Sequence, residues 1–264
     1  MSVAAGDLRA YLRLLAGQIW HDQDDAFHHG LTLQEETLTE TLLLKMARDF
    51  SPLGLEVLMF NKGQEGENGA DWEWFFDGPE CSVGFRIQAK VLKRGEGSPG
   101  KYAQLGKPAG QTQKLIDDAK KYGLNPIYIF YNHRWVQNHH LFGPSVQPDW
   151  FGRSCWGCSV ATAEFIKGIS DTKGNPDKNL ATVIKGSRPW HRFFRLGKTC
   201  GTQKATEHMP GGQEFRPRSP TPEWVIMLRE FRSANEEVRR ETMDRVLTDR
   251  DVQGVALITS RQEG

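Results

Sequence analysis

Residues Gly69 to Leu92, read GADWEWFFDGPECSVGFRIQAKVL, place Asp71, Glu73, Gln88 and Lys90 within one hairpin-like stretch. In the first run, Asp71 and Glu73 alternate with aromatic residues, and Gly78-Pro79 then marks a turn. In the second run, Val83, Phe85, Ile87, Ala89 and Val91 share one strand face, while Arg86, Gln88 and Lys90 share the other. The apolar face looks like core, so the strand is expected to be central. Charges buried beside it are costly unless they are paired or bound to a metal. A carboxylate, an amide oxygen and an ammonium converging here point to a metal-dependent site. The plainer alternative is a solvated strand face carrying cross-strand ion pairs, such as Lys90 with Glu73 or Asp71.

The elements that would position these residues follow from periodicity. Leu8, Tyr11, Leu12, Leu15, Ile19 and Trp20 recur at helical spacing, so a helix is expected over 7–22 with Asp7 as its cap. Residues 23–30, with His28, His29 and Gly30, read as a loop. Thr32 and Glu35 fit a capping box ahead of a helix over 33–48, whose apolar stripe is Leu38, Leu42 and Met46. Glu36 and Glu40 lie one turn apart on a neighbouring stripe. Residues 55–60 read as a strand, 93–110 as a Gly-, Lys- and Pro-rich loop, 111–122 as a helix ended by Gly123, and 125–132 as an apolar strand.

The 38% hydrophobic and 25% charged residues of this 264-residue chain are an ordinary globular composition, enough for one large core. A net charge of +1 names no partner, no apolar run is long enough for a membrane span, and no signal-peptide pattern opens the chain. Four cysteines in this length do not make a disulfide framework. A cytoplasmic location is the expectation.

The element order αβββαβ, with Asp71 on the second strand and Gln88-Ala89-Lys90 on the third, resembles the PD-(D/E)XK nuclease superfamily, the restriction-endonuclease-like fold. The resemblance covers roughly residues 32–132. It is also similar to uncharacterised bacterial proteins associated with phage defence. It implies an α/β fold with a nuclease-like core over 1–132, N-terminal helix included; residues 133–264 read as a C-terminal α/β extension that is not clearly a separate domain. It further implies phosphodiester hydrolysis with Mg²⁺ or Mn²⁺, on DNA in preference to RNA, in an antiviral setting. Asp71, the Gln88 side-chain oxygen and the Ala89 carbonyl would hold the metal. Glu36 would hold a metal-bound water or a second metal. Lys90 would orient the attacking water and stabilise charge on the phosphate. Gln88 departs from the usual acid and supplies an oxygen without charge, so weaker metal binding is expected. A homodimer or a regulatory partner protein would suit such an enzyme. A non-catalytic binding or structural protein on the same fold is the competing class.

Other motifs are less specific. Residues 185–218 hold eight Lys/Arg (Lys185, Arg188, Arg192, Arg195, Lys198, Lys204, Arg216, Arg218) against Glu207 and Glu214. Trp190, Phe193, Phe194 and Phe215 interleave with them. The stretch is the candidate for backbone contacts to nucleic acid, with aromatics to stack on bases, or else a basic surface loop. Cys155-x-x-Cys158 has half the spacing of a zinc site, which His191, Cys200 or His208 could complete, but two packed cysteines read better. Glu73 and Gln113 are further candidates for the metal site, the latter at the start of the helix after the motif strand. A helix is expected over 159–168, a strand at 223–228, a helix from Ser233 and a last strand at 254–260.

Overall fold

The computed structural model describes residues 5–50, 56–58, 70–77, 82–95, 98–102, 105, 110–133, 136, 153–171, 180–194, 209–210, 237–238, 241, 245 and 254–259. In chain order the elements are α1 (Ala5–His28), α2 (Glu35–Phe50), β1 (Glu56–Leu58), β2 (Trp72–Asp77), β3 (Ser82–Gly95), β4 (Ser98–Tyr102), α3 (Gln111–Tyr122) and β5 (Asn125–Tyr131). After a 3-10 turn at Arg153–Gly157 come β6 (Cys158–Thr162), α4 (Ala163–Asp171), α5 (Leu180–Lys185), β7 (Arg188–Pro189), α6 (Trp190–Phe193) and β8 (Gly254–Thr259).

The architecture is α/β, built on one mixed sheet ordered β1-β8-β2-β3-β5-β6-β7, with β4 paired to β3. β2 and β3 are antiparallel, whereas β3 and β5 are parallel. Parallel neighbours require a crossover, which α3 supplies. β6 and β7 continue the sheet antiparallel beyond β5, and β8 slots between β1 and β2. The strands described beyond residue 132 therefore extend the sheet that the earlier strands begin.

Strand alternation splits the core into two layers. Ile87, Ala89, Ile127, Ile129 and Tyr131 pack with Trp72, Trp74 and Phe76 against α1, α2 and α6. Tyr128, Phe130 and Ala161 pack on the opposite side with α3, α4 and α5. Each fully buried aromatic of this kind contributes about 1.5–3 kcal/mol through removal of apolar surface from water.

Several local expectations change. α1 runs on to His28, because Gln23, which breaks the apolar periodicity, is buried and donates from Nε2 to the Asn132 carbonyl (2.9 Å). Gly30 (φ 72°) then ends the helix, with Leu31 N–H on the Ala26 carbonyl (2.8 Å) and Gly30 N–H on that of Phe27 (3.1 Å). Gly123 (φ 67°) ends α3 the same way, as its position in the sequence predicts. The region expected to be a loop after β3 contains β4, an added strand that carries Pro99 and Gly100. Residues 158–162 form β6 before α4 begins, so the helix expected from residue 159 starts at Ala163. The strand expected at 223–228 lies outside the described residues, and the helix expected from Ser233 is helical at its described positions.

Candidate active site

β2 begins at Trp72, opposite Ile87, while β3 runs on for eight residues more. The Ile87 carbonyl, facing the β2 side, accepts from Asp71 N–H (2.7 Å). The N–H and C=O of one strand residue point to the same edge, and every second residue repeats that direction. Ala89 thus presents both groups to the edge that β2 leaves open. Asp71 fills it: its Oδ2 accepts from Ala89 N–H (2.6 Å) and from Gln88 Nε2 (2.8 Å). Gln88 Nε2 also donates to the Ala89 carbonyl (3.3 Å). Two acceptors on the same side fix which end of the amide faces them. Gln88 Oε1 is consequently left buried without a partner, on a residue 2% exposed.

Lys90 lies one position further along the same face and is buried. Its Nζ bonds Glu35 Oε1 (3.2 Å) in the first turn of α2. One turn on, Thr39 Oγ1 meets the Tyr131 hydroxyl (2.9 Å), which docks the same helix on β5. Beside Gln88 on β5 stands Tyr128, fully buried, its hydroxyl 2.9 Å from Thr112 Oγ1 at the start of α3.

Burial is the largest force on the acids. It pushes the Asp71 carboxyl up to about 6, against the pull of the Lys90 ammonium and of the Ala89 and Gln88 hydrogen bonds; the charge of Glu36 adds to the rise. It pushes Glu35 up to about 7, opposed by Lys90 and reinforced by Asp71 and Glu36. Tyr128 goes up to about 12, from burial first, with the charges of Asp71 and Glu35 adding. Two carboxylates around one ammonium leave the cluster short of positive charge.

The structure brings Asp71, Gln88 and Lys90 together as the sequence predicts. Of the two adjacent acids opening α2, it is Glu35 that reaches Lys90. Glu36 is exposed and reaches Asp71 only through its charge. Glu35 is therefore not spent on a capping box with Thr32, which lies outside the helix. Glu40 is exposed. Glu73 is drawn away by Arg86 (2.8 Å), with both side chains fully buried, and Arg86 also approaches Asp118 (3.8 Å) and Tyr122 (5.4 Å to the ring) on α3. Removing one partner of such a pair strands a buried charge, so Glu73→Ala is expected to lose about 3 kcal/mol of stability, measurable by urea unfolding. Gln113 bonds Asp117 (2.8 Å) along the surface of α3 and takes no part in the site.

The remaining motifs separate from this centre. Cys155, in the 3-10 turn packed on α1, and Cys158, on β6, are both buried, and among the described residues no group of three metal-ligating side chains includes them. Cys200, His208 and the His139–His140 pair lie outside the described residues, while His28 Nδ1 donates to the Asp24 carbonyl (2.8 Å) at the end of α1. Trp190, Phe193 and Phe194 are fully buried: Phe194 stacks on Phe76 (4.9 Å) and Trp190 Nε1 donates to the Leu12 carbonyl (2.6 Å). They are core, not platforms for bases. Of the eight basic residues, Lys185 is exposed and Arg188 and Arg192 are half-buried; Arg195, Lys198, Lys204, Arg216 and Arg218 lie outside the described residues.

Among the described residues, no three His, Cys, Asp or Glu side chains are grouped to hold a metal. The donor set at Asp71 is of another kind: one carboxylate, one amide oxygen and one backbone carbonyl. Hard oxygens of this sort suit Mg²⁺ or Mn²⁺ with several waters retained. The unpartnered Gln88 oxygen is the observation that fits such an ion.

The profile of a family of unknown function, DUF6615, matches residues 8–264. The chain belongs to DUF6615. The match takes in α2, the β2–β3 pair and the strands beyond Asn132 alike, so the site and the added strands lie within one family unit. No curated protein and no solved structure matches this DUF6615 chain. Among its described residues, no helix is long and apolar enough to cross a membrane.

Proposed function

We propose that the chain is a metal-dependent nuclease of the PD-(D/E)XK superfamily that hydrolyses phosphodiester bonds, with DNA the favoured substrate and bacterial antiviral defence the setting its resemblance implies. One observation carries the reading. The Asp71 carboxylate and the Ala89 carbonyl converge on the Gln88 amide nitrogen, whose own oxygen is orphaned, next to the buried ammonium of Lys90. Turning the amide about its terminal bond exchanges its nitrogen and oxygen. Three oxygens then face one point, where a divalent cation takes the place of the amide hydrogens. The order α2, β1, β2, β3, α3, β5 and the antiparallel-then-parallel pairing around β3 support the same reading, with β8 as an addition between β1 and β2.

Asp71, Gln88 Oε1 and the Ala89 carbonyl would hold Mg²⁺ or Mn²⁺. When bound, the ion supplies a water of lowered pKa and neutralises charge on the phosphate. Asp71 is fixed by the Ala89 N–H and so keeps its carboxylate in place without reorganisation. Lys90 carries its charge into a buried pocket, where an ammonium stabilises a developing phosphorane far more than it would in water. Glu36, exposed on the first turn of α2, adds negative charge at the rim, suited to an outer water or second metal. Tyr128, held by Thr112, walls the site from the α3 side.

Gln88→Glu tests the donor set. A second carboxylate beside Asp71 is expected to lower the melting temperature in EDTA through like-charge repulsion. It is also expected to tighten Mn²⁺ binding by about tenfold, read from melting temperature against metal concentration. The function itself is tested by offering plasmid, linear single-stranded DNA and RNA with Mg²⁺, Mn²⁺ or EDTA. Cutting of DNA with either metal and not with EDTA is the expected result. The uncharged Gln88 favours the competing class, a non-catalytic nucleic-acid-binding protein; that class would bind the same substrates and cut none under any metal.

A further inference from the structure

The Lys90–Glu35 pair is the least expected contact of the site. A lysine on the motif strand faces a carboxylate from a different element, at 3.2 Å, with Lys90 buried and the Glu35 side chain 23% exposed. Asp71, the nearer acid in sequence, feels the Lys90 charge but spends its Oδ2 on the Ala89 N–H and the Gln88 amide. Glu35 comes from the first turn of α2, the end that follows residues 31–34, which belong to no helix or strand. A phosphodiester carries one negative charge shared over two oxygens, as a carboxylate does, and an ammonium bonds either through the same geometry.

We propose that Glu35 occupies Lys90 in the place of substrate phosphate, an internal competitor that nucleic acid must displace. The proposal rests on the nuclease reading above and adds how that site is regulated. In the resting protein the ammonium is neutralised and docked on α2. When a phosphodiester enters, Lys90 changes partner from Glu35 Oε1 to a phosphate oxygen, with no covalent bond made or broken. The freed Glu35, whose side chain is already 23% exposed, turns toward solvent. A buried ion pair gives back in attraction little more than it lost in desolvation, so exchanging one anion for another is nearly balanced. The position of Glu35 thus sets how tightly substrate binds before any chemistry occurs.

The test measures binding without cleavage. A short fluorescein-labelled DNA duplex is titrated in EDTA, by fluorescence anisotropy, with wild type, Glu35→Gln, Lys90→Ala and the double variant. Glu35→Gln is expected to bind about tenfold tighter than wild type, the scale of one displaced charge pair. That gain is expected to vanish in the Lys90→Ala background. Glu40→Gln, an equal change of charge at an exposed position on the same helix, is expected to shift binding by less than about twofold, since surface charges are screened. Glu35→Asp, which keeps the charge but shortens the reach, is expected to fall between wild type and Glu35→Gln, and melting curves confirm that each variant is folded. Glu35→Gln binding that equals or falls below wild type overturns the competitor role, as does a gain that survives without Lys90. If wild type still cuts DNA with Mg²⁺ in that case, the nuclease reading stands and only the competitor falls. If wild type neither binds nor cuts, both fall.

Discussion

Lys90→Ala is expected to lose on the order of 10³-fold in the rate of phosphodiester hydrolysis while the fold persists, because a positioned charge in a dry site is worth about 3–4 kcal/mol to a developing anion. The side chain is buried and its ammonium is held at 3.2 Å from Glu35, so its removal leaves no buried unpaired cation. It does free the Glu35 carboxylate, already pushed up to about 7 by burial, to take up a proton. The melting temperature should therefore change little near pH 6 and fall somewhat at pH 8, where that carboxylate is left charged. Single-turnover cleavage of labelled DNA beside a melting curve at both pH values reads the two effects separately. A variant that cuts like wild type would remove Lys90 from the chemistry.

Asp71→Asn is expected to produce a protein that is more stable in EDTA and inactive in Mg²⁺. Burial raises the Asp71 carboxyl from its ordinary range near 4 to about 6. The folded protein therefore binds this proton more tightly than the unfolded chain does. The stability linked to it is full below about pH 4 and is lost as pH rises through about 6, an effect of about 3 kcal/mol. The neutral amide escapes that loss. In EDTA at pH 8 the variant should melt several degrees above wild type, and near pH 4 the two should converge. With the carboxylate gone, Mg²⁺ should no longer raise the melting temperature, and metal affinity should fall at least about 100-fold. Stabilisation without loss of metal response would mean that Asp71 is only a buried acid.

The centre of the site was legible because a strand's period of two is short and strict. Once β2 and β3 pair, the alternation of Phe85, Ile87 and Ala89 with Arg86, Gln88 and Lys90 leaves no freedom about which residues share a face. Trp72 opposite Ile87 puts Glu73 opposite Arg86, so that pair could have been read by counting across the hairpin. The choice between Glu35 and Glu36 is harder. Neighbouring helix positions differ by about 100° around the axis, so the answer depends on how α2 is rotated against the sheet, which its two-acid start does not encode. The insertion of β8 between β1 and β2 pairs residues nearly two hundred positions apart, and no local pattern announces it. The aromatics at 190–194 misled for the opposite reason. Their arginine neighbours suggested a surface, yet Trp190, Phe193 and Phe194 carry the packing of α6 against α1 and β2.

The central claim is that Asp71, Gln88 and the Ala89 carbonyl form a divalent-cation site beside Lys90 and that the site cuts DNA. Plasmid cleavage as a function of Mg²⁺ concentration, wild type beside Lys90→Ala, tests it most directly. The expected result is nicking or linearisation that rises with Mg²⁺, stops in EDTA and is lost in Lys90→Ala. Cleavage that survives EDTA, or that Lys90→Ala retains in full, would contradict the claim.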